Sequence, residues 1–184
     1  MSIRMSGYRL LVGILLANAP FSPIFAAVST PNAEISSHSS DPRALPYRAD
    51  ADPVKDLADA EERAAKANHL VMVIFGANWC PDCRMLHKNL GEGATQDYAR
   101  QHFELVSVDI GNHDKNLKIA EELGVTLKKG IPVAAILQAD GKLVATTNRG
   151  ELESSRHYSP QQILAFMHEI VENRRVVFPA GERR

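Results

Sequence analysis

From residue 53 onward the apolar positions switch repeatedly between two periods, and each switch marks an element. PVKDLADAEERAAKANH (53–69) has helical spacing, with Asp52 placed as N-cap and Pro53 at the first position, where a missing N–H costs nothing. Its Glu61, Glu62, Arg63 and Lys66 form a solvated face. LVMVIF (70–75) is a continuous apolar run with β-branched residues, which predicts a strand buried on both faces. A helix follows from the cysteines to about Leu90, where Gly91 stops it. TQDYARQH (95–102) reads as a further short helix and FELVSVDI (103–110) as a second strand. HDKNLKIAEEL (113–123) predicts a helix ended by Gly124. PVAAILQ (132–138) and LVATT (143–147) predict a hairpin about the Asp140-Gly141 turn. In the last helix Ser159 caps, Pro160 starts, and Ile163, Phe166, Met167 and Ile170 share one apolar face.

The main order is therefore α-β-α-β-α-β-β-α. Strand-helix-strand connections predict parallel pairing, and the hairpin predicts an antiparallel end. A three-layer α/β/α sandwich around a mixed sheet of about four strands fits this order. The domain is expected over residues 53–174, with 175–184 as a C-terminal tail. Residues 27–52, rich in Ser, Ala, Pro and Asp and without apolar periodicity, predict an exposed leader, with Tyr47 able to dock on the domain.

Residues 1–26 follow another logic. Arg4 and Arg9 precede a short apolar run, two prolines and a small-residue stretch, the order of a secretory signal. The run is too short for an ordinary membrane span, and no cysteine lies near the expected cut after Ala26 or Ala27, which excludes a lipoprotein. Removing the signal leaves 19 basic against 22 acidic residues. That balance gives no footprint for nucleic acid. The resulting expectation is an exported, periplasmic monomer with no stable membrane insertion.

Export sharpens the meaning of the only two cysteines, Cys80 and Cys83. A disulfide closing so small a loop removes little entropy from the unfolded chain, so it is a poor staple. The pair instead sits where a buried strand meets a helix. Unpaired N–H groups and the helix dipole favour a thiolate at Cys80, with Pro81 starting the helix. Cys83 lies one turn on, close enough to bridge. Cys80 would attack a disulfide and Cys83 would resolve the mixed disulfide. Asp82 places a negative charge two residues from Cys80 and opposes a second one there. On that ground the pair is expected near the reducing end of a range running from about −270 to about −120 mV.

VIFGANWCPDC (73–83), together with Gly130-Ile131-Pro132 ahead of a later apolar strand, resembles the thioredoxin superfamily over roughly residues 53–173. The resemblance implies Cys80 as nucleophile, Cys83 as resolving thiol and Trp79 as a shielding aromatic at the surface. It also implies a cis Ile131–Pro132 bond beside the disulfide, leaving the Ile131 backbone available to a substrate strand. Two features depart from it. The buried Asp commonly found five residues before the motif Trp is Ile74 here, and LVSVD lacks the accompanying Lys. Their proton path could pass in part to Asp82. The loop GVTLKKGIP is longer than usual and carries Lys128 and Lys129.

The main rival is a metal site using Cys80, Cys83 and His87, with His113 or His69 as a fourth ligand, which would make the protein a copper- or zinc-binding metallochaperone. A disulfide oxidase, served by an oxidising membrane enzyme, is the other alternative. Asp109 at a strand end reads as a turn cap rather than a catalytic acid. No flavin, nicotinamide or phosphate motif is present, so the expected cofactor is none beyond the Cys80–Cys83 disulfide. The expected reaction is reduction of protein or small disulfides, and the resemblance implies a membrane-embedded thiol relay as the electron donor.

Overall fold

The computed structural model describes residues 45–176. The expected signal (1–26), most of the leader (27–44) and the tail beyond Val176 lie outside the described residues.

The strand predicted from LVMVIF forms β1 (Leu70–Gly76), in which every residue is buried. Its alternation divides the core in two. Val71, Val73 and Phe75 pack with Ala60 and Ala64 of α1 (Pro53–Ala67) and with Ile119 and Ala120 of α4 (Leu117–Glu122). Leu70, Met72 and Ile74 pack on the other side with Leu86 and Leu90 of α2 (Pro81–Leu90) and Ala99 of α3 (Gly93–His102). The four predicted apolar positions of α5 (Pro160–Asn173), Ile163, Phe166, Met167 and Ile170, lie in that same second core. Full burial of each such side chain stabilises by about 1.5–3 kcal/mol. Ser159 caps α5 by a reciprocal capping box with Gln162.

The sheet order is β2-β1-β3-β4, with β2 at Phe103–Asp109, β3 at Val133–Leu137 and β4 at Leu143–Thr146. β2 pairs parallel with β1 from Leu70↔Phe103 to Gly76↔Asp109. The β3–β4 hairpin turns at Asp140-Gly141, where Gly141 has φ +79° and Lys142 N–H bonds the Asp140 carboxylate.

One expected pairing is overturned. β3 does not run parallel after its helix; it lies antiparallel to β1, with Phe75 opposite Val133. β2 ends and β3 begins at the same end of the sheet. The six residues of α4 advance only about 9 Å, whereas a return along a seven-residue strand needs about 23 Å. α4 also starts at Leu117 rather than at His113. His113 and Asn116 have φ +64° and +53°, so 113–116 form a turn. The Asp109 and Asp114 side chains brace that turn by accepting from Gly111 N–H and Asn112 N–H.

These connections gather three loops at one end of the sheet: 77–80 after β1, 110–116 after β2, and 123–132 before β3.

Candidate redox site

β1 delivers the chain at Gly76, and Ala77-Asn78-Trp79 then turn it into α2. Cys80 is the N-cap of that helix, with φ −78° and ψ 117°, and Pro81 follows at the first position. The Cys80 Sγ accepts the Cys83 N–H at 3.2 Å, taking the place of the oxygen of a capping serine or aspartate. This is where a helix end best accommodates negative charge. Cys80 is 3% exposed and Cys83 fully buried; both are unbridged thiols. Burial, and then the hydrogen bond with Cys80, pushes the Cys83 thiol well above the usual thiol range.

The loop before β3 closes the other side. The Ile131–Pro132 bond is cis, Ile131 and Pro132 are buried, and the Ile131 carbonyl oxygen lies 3.5 Å from the Cys80 Sγ. A backbone 51 positions away in sequence is thus brought against the Cys80 sulfur. Trp79 is 52% exposed, so its ring does face solvent beside the pair. Its Nε1–H donates to the Gly111 carbonyl at 2.8 Å, and its ring lies 6.0 Å from that of His113. This ties the aromatic to the loop after β2. Lys128 and Lys129 are exposed on the loop before the cis bond.

Asp82 does not play the part expected of a lone charge. It is buried, and its carboxylate is held by Arg156 from the one-turn 3₁₀ helix Ser155–His157. Arg156 Nη2 donates to Oδ2 at 2.7 Å, while Nε and the backbone N–H donate to Oδ1 at 3.1 and 3.0 Å. The carboxylate beside Cys80 is therefore paired with a cation, and the guanidinium is held still more firmly protonated by it. The uncompensated repulsion argued from sequence is absent, and Asp82 has no contact that would carry a proton to Cys83. Arg156 was not legible: its partner is 74 residues away, on a turn without periodicity.

Arg156→Ala is expected to leave a buried carboxylate holding one backbone N–H. Thermal unfolding should show the midpoint lowered by several degrees, with the 3₁₀ turn loosened. An unchanged midpoint would show that water replaces the guanidinium without cost.

Behind Cys83 stands Tyr47, docked as the sequence allowed but more deeply than a surface contact. It is 2% exposed. Its backbone is clasped by Asn78, whose Oδ1 accepts Tyr47 N–H at 3.1 Å and whose Nδ2 donates to the Tyr47 carbonyl at 2.6 Å. The phenol oxygen and the Cys83 sulfur flank the same point beside Gly76, and burial followed by the fields of the two sulfurs pushes the Tyr47 pKa above the ordinary tyrosine value. Gly76 makes this approach possible, because a Cβ there would collide with the Tyr47 hydroxyl and with the Cys83 Sγ. Ile74, which stands where many thioredoxins have a carboxylate, lies in the α2-α3-α5 core and offers no proton.

The alternative metal ligands do not assemble. Among the described residues no three His, Cys, Asp or Glu side chains converge. His69 precedes the opposite end of β1, next to Glu104 at 3.5 Å, and His113 packs beside Trp79. His87 lies in the last turn of α2. Asp109 caps its turn, accepting from Gly111 N–H, with Lys115 Nζ at 3.8 Å. No helix among the described residues is long and apolar enough to cross a membrane.

Comparison with known proteins agrees with this geometry. The family described as Thioredoxin-like matches residues 52–139. The crystal structure of a disulphide isomerase from Xylella fastidiosa Temecula1 is 36% identical, with a TM-score of 0.68. The match covers 71% of this chain and 99% of that one. A second solved structure, a DsbH oxidoreductase, matches more loosely: 22% identity over 49% of this chain and 67% of its own, TM-score 0.40. A four-stranded mixed sheet between helices, two cysteines at the start of α2 and a cis proline facing them agree with the sequence match over the whole Xylella protein: the chain belongs to the thioredoxin-like family.

Proposed function

We propose that the protein is a thiol:disulfide oxidoreductase that reduces disulfides by dithiol–disulfide exchange through Cys80 and Cys83. The observation that carries this is the Cys80 sulfur at the N-cap of α2, with the Cys83 thiol buried one turn behind it. The Cys80 thiolate attacks one sulfur of a substrate disulfide, and the substrate's other sulfur leaves with the bonding pair and takes up a proton. Cys83, deprotonated, then attacks the Cys80 sulfur. The substrate's second sulfur departs, and the pair ends as a disulfide having given two electrons. Trp79 and the Ile131-Pro132 loop flank the reacting sulfur and supply the surface for the substrate.

The reducing direction rests on a different footing from the one read in sequence. Asp82 is neutralised by Arg156, so its charge no longer decides the matter. Instead Cys80 is buried and has the Ile131 carbonyl oxygen beside it, a partner for a thiol proton and not for a negative sulfur. That carbonyl offsets part of what the helix N-terminus gives a negative sulfur at Cys80, and a pair held back in this way is not a strong oxidant, whose reduced form is specially stabilised. The signal-like pattern of residues 1–26 supports work in the periplasm. There a reductase without its own redox cofactor needs a donor, and a membrane-embedded thiol relay supplies the matching chemistry. The Xylella relative is called a disulphide isomerase, and isomerisation is the second reading, in which Cys80 attacks and is released without net oxidation.

Reduction of insulin disulfides in dithiothreitol tests the proposal. The wild-type chain should accelerate precipitation, and Cys80→Ser should fall to the rate of dithiothreitol alone. Equal turnover by the two chains would remove Cys80 as the nucleophile.

A further inference from the structure

We propose that Tyr47 is a catalytic residue, its buried hydroxyl donating a hydrogen bond to the Cys83 sulfur as that thiol attacks the mixed disulfide. The inference rests on the assignment of Cys80 as attacking and Cys83 as resolving thiol. It makes the segment ahead of α1 part of the redox machinery rather than a leader.

The resolving step has a physical difficulty that this contact answers. Cys83 is fully buried, and burial disfavours the thiolate that must form there before Cys83 can attack. Some polar group has to take the place of water at that sulfur. Ile74 cannot, and Asp82 is turned to Arg156. The groups that face Cys83 are the Cys80 sulfur on its own helix, the Ala77 backbone after β1, and the Tyr47 hydroxyl. Asp109, at the end of β2, acts on Tyr47 through its field, while the Asp82–Arg156 pair faces the Cys80 side. Cys80 opposes charge on Cys83; the Ala77 backbone and, after it, the Tyr47 hydroxyl favour it, and of these two only the hydroxyl belongs to a side chain.

The position is built, not incidental. Gly76 is not at a positive φ, so its lack of a side chain is required for space alone, and the space holds the phenol oxygen and the Cys83 sulfur together. Asn78, one residue from Trp79, pins the Tyr47 backbone with two hydrogen bonds. Tyr47 remains a neutral donor, since burial pushes its pKa well above the ordinary tyrosine value. The proton lost by Cys83 passes to solvent, and the departing substrate thiolate takes one up. The Cys83–Cys80 sulfur bond forms as the Cys80–substrate bond breaks. The phenol only stabilises the negative sulfur between these events, and a hydrogen bond to a charged group carries enough energy to do so.

Stopped-flow reaction of the reduced full chain with 5,5′-dithiobis(2-nitrobenzoate) separates the two steps. Attack by Cys80 releases a first thionitrobenzoate, and resolution by Cys83 releases a second. Tyr47→Phe is expected to leave the first phase at its wild-type rate. It should slow the second by about tenfold or more and shift its pH profile upward. Asn78→Ala, which keeps the phenol but removes its anchor, should slow the second phase by less. A second phase unchanged in rate and pH profile in both variants overturns the proposal, as does an equal slowing of both phases. If wild type shows no second phase, or Cys83→Ser retains one, the assignment of the resolving thiol fails instead.

Discussion

A Cys83→Ser chain is expected to stop halfway through the reaction and remain covalently attached to its substrate. Cys80 keeps its place at the N-cap of α2, so attack still occurs. The Cys83 backbone N–H that bonds its sulfur survives the substitution. A serine hydroxyl, however, is no nucleophile toward a disulfide under these conditions. The mixed disulfide should therefore accumulate to one equivalent, visible on non-reducing gels and by intact mass. Catalytic insulin reduction should fall to background. Because both cysteines are the same size as serine to within a sulfur-oxygen exchange, the loss is chemical and folding should survive. Full turnover by Cys83→Ser, or failure to trap any substrate, contradicts the division of labour between the two thiols.

Gly76→Val is expected to cost the most stability of any single change near the site. Gly76 is the last residue of the central strand and is paired with Asp109. A Cβ there meets the Tyr47 hydroxyl and lies 2.9 Å from the Cys83 Sγ, inside any real contact distance. Neither neighbour is a flexible side-chain tip. Tyr47 is clasped by Asn78 and is 2% exposed, and Cys83 is fixed in the first turn of α2. Overpacking of this kind costs about 1–3 kcal/mol, and a branched side chain belongs at or above the upper figure. The relief available is expulsion of Tyr47, which would open the back of the redox site. Urea denaturation should show a clearly lowered midpoint, with increased exposure of tyrosine fluorescence. An unchanged midpoint would mean that the Tyr47 segment is not held against Gly76 in solution.

What the sequence disclosed follows from how local each signal is. The continuous apolar run of residues 70–75 leaves no reading but a doubly buried strand, and β1 divides both cores by its alternation. Asp52-Pro53, Cys80-Pro81 and Ser159-Pro160 each mark a helix start within one residue, because caps act across a single turn. The direction of β3 was not legible. It depends on whether the 110–132 connection travels the length of the sheet, and apolar periodicity carries no such information. The start of α4 was misplaced because two non-glycine residues adopt positive φ, which the helical spacing of 113–123 conceals.

The site divides along the same line. A pair of cysteines two residues apart, after a buried strand and before a helix, exposes its chemistry in one short window. The distant partners are another matter. Ile131 could be placed only through likeness to a family, and Arg156 not at all, since an ion pair 74 residues apart leaves no pattern in either segment. That omission mattered. It turned Asp82 from an unpaired charge beside Cys80 into one half of a neutral bridge, and it moved the argument about direction onto the Ile131 carbonyl. Tyr47 shows the converse: a docking aromatic was legible, but not that its hydroxyl would lie beside Gly76 on the same side as the Cys83 sulfur.

The direction of electron flow is the claim on which the functional reading stands, and the redox potential of the Cys80/Cys83 couple measures it. Equilibration of the full chain with defined dithiothreitol buffers, read by thiol alkylation and mass, gives the value. A potential well below about −180 mV, toward the −270 mV end, is predicted for an electron donor. A value at or above about −180 mV would place the pair with isomerases and oxidants and contradict the reductase reading.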